Sequence, residues 1–287
     1  MKKNMNDKYQ VNRIKLTVAY DGTAYHGWQL QPNVLTIEGE LNHALSALLG
    51  EKIAVIGASR TDSGVHALGN IAVFDTATPI PAEKISYALN RCLPADIRIQ
   101  KSEAVRADFH PRHVESHKTY EYRLWNADFP SPTKRLYHYF TYRLLNPDKM
   151  QEAADYLVGE HDFVSFCAAG AAPLLLGEST VRRIYAANIY TSQGVESFID
   201  RPAQPESSRN PTSSPLIRPA EIIITLTGNG FLYNMVRIIA GTLIEVGIGK
   251  YPPAFIKEII TARDRRKAGP TAPPQGLTLV KYEFPSD

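Results

Sequence analysis

A chain of 287 residues with 44% apolar and 21% charged side chains can fill two modest cores and has the composition of an ordinary globular protein. Its two cysteines, Cys92 and Cys167, exclude a disulfide framework and a four-cysteine zinc site, and no apolar run is long enough to cross a bilayer. Met1 to Lys15 is polar and lacks the apolar core of a secretory signal, so a reducing, cytoplasmic setting is expected, while a net charge of +3 decides little.

Arg13 to Tyr20 alternates, with Ile14, Leu16, Val18 and Tyr20 on one face, which predicts a half-buried strand ended by Asp21-Gly22. Thr36 then caps a helix with the apolar stripe Ile37, Leu41, Ala44, Leu45 and Leu48, stopped by Gly50. Strands are expected at Ile53 to Gly57 and Ile71 to Asp75. A short helix from Pro81 turns Ile85, Ala88, Leu89 and Cys92 inward, and Ile97 to Val105 is a further strand. The pattern then starts again. Lys118 to Asn126 alternates aromatic and polar residues as a strand does, and Asn146-Pro147 opens a helix through Leu157, closed by Gly159. Strands at Val181 to Tyr190 and Glu221 to Thr227 precede an apolar helix from Leu232 to Val246. A helix after Pro252-Pro253 and a strand from Leu277 to Phe284 complete the chain.

Helices and strands interleave without strict alternation, so the expected class is α+β with mainly antiparallel sheets. Thr17 to Tyr25 and Thr225 to Tyr233 look alike, which hints at two related halves. The expected division is residues 1–113 and 114–287, joined near Pro111 to Lys118. Arg201 to Pro219, rich in Pro and Ser, reads as an exposed insertion.

Polar and glycine residues are densest in Gly57-Ala58-Ser59-Arg60-Thr61-Asp62-Ser63-Gly64-Val65-His66, which begins where an apolar strand ends. There a fixed backbone presents side chains to solvent. If the extended form persists, Arg60 and Asp62 point the same way, and an arginine beside a carboxylate keeps it ionised. Between Arg98 and Arg143, nine Lys/Arg face five acids, with His110, His113, His117 and His138 among them. The His110, His113 and His117 spacing would suit a metal on a helix, but Pro111 breaks one, so no metal site is expected. Phe109, His110, Arg112 and His113 mix basic and aromatic groups, as contacts to phosphates and unstacked bases do. Arg237 interrupts an apolar helical pattern, so its charge must be paired or reach water.

Arg60-Thr61-Asp62-Ser63-Gly64-Val65-His66-Ala67 resembles the signature around the catalytic aspartate of tRNA pseudouridine synthases of the TruA type. Tyr20-Asp21-Gly22 with Gly27-Trp28-Gln29, Leu89-Asn90 with Leu93-Pro94 and Asp96-Ile97, and Phe109-His110-Pro111-Arg112 resemble further blocks of that family. So do Lys118-Thr119-Tyr120-Glu121-Tyr122, Asp162-Phe163 with Ser165-Phe166, Met235-Val236-Arg237 with Gly241, and Arg266 to Leu277. The blocks stand in family order over nearly the whole chain. Ser59, Ser63 and Glu38 depart from the glycine, alanine and glutamine common at those places. Ser59 would cost about 1 kcal/mol if a positive φ were required there.

The resemblance implies the pseudouridine synthase fold, two similar halves flanked by helices around a central cleft, and a cofactor-free isomerase. Its substrate would be uridine at tRNA positions 38, 39 and/or 40 in the anticodon stem-loop, and its working form a homodimer. Asp62 would be the catalytic carboxylate, attacking C1′ or removing a sugar proton to give a glycal. Tyr120 would stack on the flipped uracil, Arg237 would pair with Asp62, and Arg60 would hold the RNA backbone or the opened base pair.

Overall fold

The computed structural model of the chain describes residues 12–168, 177, 179–192 and 221–284. The expected insertion, 201–219, lies outside them. Ten strands and five α-helices are found among the described residues, in an α+β arrangement with mainly antiparallel pairing. Two compact units form. The first holds the described residues through Glu121, Thr227–Gly230 and those from Leu277 on; the second holds Tyr122–Leu226 and Phe231–Gly276.

In the first unit the strands β1 (Asn12–Tyr20), β3 (His66–Thr76), β4 (Ile97–Val105), β10 (Leu277–Glu283) and the start of β5 (His117–Asn126) lie in the order β4-β1-β3-β10-β5. β1 pairs antiparallel with β3 and β4, and β10 runs parallel to β3. The alternation in β1 holds, with Ile14, Leu16, Val18 and Tyr20 buried. Its register against β3 slips between Val18 and Tyr20, a bulge that turns the end of the strand.

Helix α1 (Ile37–Leu49) is bounded as its sequence dictates. The Thr36 side chain accepts from Gly39 N, and Gly50 takes the left-handed conformation at φ 66°. Helix α2 (Ala82–Leu89) packs on β4 and buries Ile85, Ser86 and Leu89. Cys92 is exposed and Leu93 takes the inner place, because the chain leaves the helix at Leu89.

The strand expected at Ile53 to Gly57 shrinks to β2 (Ile56–Gly57) against β3. Its earlier N–H groups go to helix α1 instead: Ile53 N to Ser46 Oγ at 3.0 Å and Val55 N to Asn42 Oδ1 at 2.8 Å. Polar side chains of a helix have taken the bonds a ladder would have made.

The second unit carries β5 from Tyr122 on, then β9 (Glu221–Gly228, through Leu226), β8 (Val181–Ser192) and β7 (Gly159–Asp162), in that order. β6 (Tyr139–Thr141) runs parallel to β5. β6 and β7 are too short to show a period in the sequence. Helix α3 (Pro147–Asp155) is capped by the Asn146 side chain on Lys149 N and stops before the expected Leu157. Helix α4 (Met235–Gly247) starts later than expected, since Asn234 is left-handed at φ 59°. Nearly all of α4 is buried, and a Cβ on Gly241 would stand 1.9 Å from Pro270 O, so only glycine lets that segment close on the helix. Helix α5 (Phe255–Ala262) follows Pro252-Pro253. Among the described residues no helix is long and apolar enough to cross a membrane.

Candidate active site

Asp62 lies half-buried in the loop between β2 and β3, and the backbone around it is fixed by a second loop, residues 21–36, that follows β1. Trp28 N donates to Thr61 O at 3.0 Å, Gly64 N to Tyr25 O at 3.3 Å, and Val65 N closes the turn onto Asp62 O at 3.1 Å. Glycines permit the approach. A Cβ on Gly22 would stand 2.0 Å from Val65 O, and one on Gly27, already at φ 89°, would stand 2.7 Å from Thr61 O. Gly57 is pressed against the buried Trp28 indole, where a Cβ would meet ring atoms at 2.2 Å. The two glycine-bearing motifs of the sequence are therefore the two sides of one backbone contact.

Buried polar side chains complete the cradle. The Tyr20 hydroxyl meets Thr61 Oγ1 at 2.7 Å, and Asn70 Nδ2 donates to Tyr20 Oη at 3.3 Å and to Ser59 O at 3.0 Å. His66 Nδ1 accepts from Gly22 N at 3.1 Å and lies 3.1 Å from Asp21 Oδ1. Ser59 is absent from the residues with positive φ, so the strain that serine would have suffered there does not arise. Glu38, at another departure from the family pattern, accepts from Leu30 N at 2.7 Å and so braces the same loop.

Tyr120 of β5 belongs to the same unit and is 8% exposed. Burial pushes its phenol well above the usual tyrosine range, the neighbouring Ser59 hydroxyl works the other way, and the Asp62 charge raises it further. The carboxylate and the phenol therefore share one electrostatic environment, in which the phenol keeps its proton. Ser59 Oγ itself makes no well-formed hydrogen bond among the described residues. Tyr20, Tyr25 and, in the second unit, Tyr122 are also pushed up, chiefly by burial.

A pH dependence follows from these phenols. Above the ordinary tyrosine value of about 10 the unfolded chain sheds protons that the native state still holds, so stability falls as pH rises further. The melting temperature is expected to be insensitive to tyrosine between about pH 7 and 9 and to drop above about pH 10. A melting temperature that climbed above that pH would contradict the assignment.

Arg60 is exposed and, among the described residues, makes no ion pair or hydrogen bond, with Asp62 or with any other group. Arg112 donates from Nε to Gly57 O at 2.7 Å; burial, then nearby Arg60, lower its pKa against the opposing pull of Glu38. His110 and His113 stack at 3.9 Å between ring centroids, with Arg112 N donating to His110 Nδ1 at 3.3 Å. Burial and then the His113 and Arg112 charges lower the His110 pKa. Phe109 meets Phe284 edge-on at 5.2 Å, and its carbonyl accepts from Arg13 at 3.0 Å. Among the described residues no three His, Cys, Asp or Glu side chains converge to hold a metal.

Arg237 belongs to the second unit. Its Nε donates to Ala272 O at 2.7 Å and its Nη1 to Asn234 Oδ1 at 2.7 Å, and its own carbonyl accepts from Ala272 N. The interrupted apolar pattern of α4 is thus explained by a guanidinium held on two sides. Its charge also lowers the pKa of Tyr122, whose hydroxyl donates to Pro273 O at 2.8 Å.

Sequence reasoning passed over Asn70 and gave Tyr20 a place in a strand and in a family block, but no role of its own. Asn70 was detectable: an amide next to the apolar run Ile71 to Phe74 must find partners inside the protein.

An α+β fold with an aspartate set in a glycine-bounded loop, in the same unit as a buried tyrosine whose pKa its charge raises, agrees with comparison to known families. A family model described as tRNA pseudouridine synthase matches residues 16–113 and 153–285. The chain belongs to the tRNA pseudouridine synthase family. The tRNA pseudouridine synthase A of Ruminiclostridium cellulolyticum is 45% identical over 274 residues, which cover 96% of this chain and 100% of that protein. Proteins of the same name from Brevibacillus brevis, at 43%, and Thermoanaerobacter sp. strain X514, at 42%, match with the same coverage. Within the family the chain is of the TruA type.

Proposed function

We propose that the chain isomerises uridine to pseudouridine at positions 38, 39 and/or 40 of the tRNA anticodon stem-loop, with Asp62 as the catalytic carboxylate. One observation carries the assignment of Asp62: the backbone on either side of it is fixed by a second loop through contacts only glycine allows, with the protonated Tyr120 phenol close by. A carboxylate used at a sugar carbon needs that kind of fixed placement.

The reaction breaks the bond from uracil N1 to ribose C1′, turns the base, and joins C5 to C1′. The hydrogen on C5 leaves as a proton and N1 takes one up. Atoms and electrons balance without a redox partner or hydrolysis, so no cofactor is required. In one route Asp62 attacks C1′ and is later displaced by C5; in the other it removes a sugar proton to give a glycal. Both use the ionised form. Tyr120 supplies an aromatic face for the extruded uracil, whose unstacking costs a few kcal/mol. With its phenol pKa raised, Tyr120 acts as a hydrogen-bond donor and not as a phenolate base.

The exposed Arg60, unpaired among the described residues, takes the RNA backbone or the opened base pair, and Phe109, His110, Arg112 and His113 extend the RNA contact. The enzyme works in the cytoplasm as a homodimer with one tRNA spanning both subunits, a part carried by the family resemblance alone.

The test is to treat unmodified tRNA transcripts with the purified protein and map pseudouridine base by base. Modification confined to positions 38–40 is expected. Release of free uracil, or pseudouridine only elsewhere, would overturn the proposal.

A further inference from the structure

We propose that Asn70 and Tyr20 are positioning residues for the isomerisation: a buried amide and a buried phenol that together fix the loop bearing Asp62. The proposal rests on the reading of Asp62 as the catalytic carboxylate.

Asn70 lies in β3 with no solvent exposure. Its Oδ1 accepts from Ser59 N at 3.3 Å and Ile71 N at 2.9 Å, and its Nδ2 donates to Ser59 O at 3.0 Å and Tyr20 Oη at 3.3 Å. Both lone pairs and both protons of the amide are thus used, and the two backbone donors fix which end is oxygen. Its side chain pairs with Ser59 on both sides as a neighbouring peptide would. The Tyr20 hydroxyl carries the constraint to Thr61 Oγ1, one residue before Asp62. The bulge of β1 between Val18 and Tyr20 lies beside Asn70, which pairs with Val18 in the register.

Residues 59–62 make no ladder contact of their own; Ala58 N to Ile71 O, at 2.7 Å, is the last backbone bond to β3 before them. A plain apolar core would fill the space around Asn70 at less risk, because a half-satisfied buried network is costly. A fully used amide at that place sets the approach to Asp62. A displacement of about 1 Å in a reacting group costs on the order of 100-fold in rate.

Steady-state kinetics with tRNA carrying tritium at uridine C5 provides the test, with Asp62→Asn run alongside. Tyr20→Phe removes the link to Thr61 and is expected to lower kcat about 10-fold. Asn70→Asp keeps the accepting oxygen but loses both donations, and about 100-fold is expected. In both, KM and tRNA affinity stay within about twofold of the parent, since the rearranged atoms position the chemistry and not the RNA. Asn126→Asp is the matched control. Asn126 is an equally buried amide, in the second unit, bonding to Thr141 O at 2.9 Å, Arg143 O at 2.6 Å and Leu145 N at 3.4 Å. It should lose melting temperature and keep kcat. If Tyr20→Phe and Asn70→Asp both retain kcat while Asp62→Asn is inactive, the positioning proposal alone is overturned. A kcat loss in Asn126→Asp proportional to its fall in melting temperature would overturn it too, by reducing the effect to stability. Turnover by Asp62→Asn would bring down both this proposal and the catalytic reading beneath it.

Discussion

Asp62→Asn should bind tRNA as the parent does and lose at least ~1,000-fold in kcat. The amide has nearly the same size and keeps an accepting oxygen, but it can neither attack C1′ nor accept a sugar proton. The loop should survive the change. It is held by Trp28 N on Thr61 O, by Gly64 N on Tyr25 O and by the Tyr20–Thr61 hydroxyl pair, none of which uses the Asp62 side chain. The melting temperature is therefore expected within roughly 2 °C of the parent, and RNA affinity within about twofold. Tritium release from C5-labelled tRNA at saturating concentration reads kcat, and filter binding reads affinity. Turnover near the parental rate would remove Asp62 from the chemistry.

Gly22→Ala is expected to damage stability and activity together. Its Cβ would fall 2.0 Å from Val65 O and 2.7 Å from Val65 C, both backbone atoms that no rotamer change can move. Relief requires the turn closed by Val65 N on Asp62 O to shift, and with it the carboxylate. Overpacking of this kind costs about 3 kcal/mol, a fall of roughly 6–12 °C in melting temperature for a chain of this size. Because the displaced atoms include those next to Asp62, kcat should drop by about 100-fold even well below the melting temperature. Calorimetry with assays at low temperature separates the two effects. A variant that melted like the parent, or melted early but turned over normally in the cold, would show that the loop contact is looser than its geometry indicates.

Elements with strong local signals were legible in the sequence. Thr36 and Gly50 bound α1, Asn146 opens α3, and the alternation of β1 survives as burial. What could not be read was where backbone bonds go when a helix side chain competes for them, as Ser46 and Asn42 do at Ile53 and Val55. The start of α4 was misjudged for a related reason: Leu232 and Tyr233 fit the apolar pattern, but the left-handed Asn234 stops the helix from reaching them. At the candidate site, the Asp62 motif and the Gly22 and Gly27 motif were visible separately. Their meeting was not, because it joins segments on either side of α1 through backbone atoms that carry no side-chain signature. Arg60 shows the converse limit. Two residues of spacing suggested a partner for Asp62, yet its side chain is exposed and unpaired among the described residues.

The burial of Trp28 against Gly57 has a practical side. The chain has two tryptophans, and they fall in different units: Trp28, wholly shielded behind the Asp62 loop, and Trp125, half-exposed in the second. With Trp125 replaced by phenylalanine, the tryptophan fluorescence that remains comes from one indole sealed under the Asp62 loop. Its shift toward longer wavelength would time the loosening of that loop directly, independently of what the rest of the chain does.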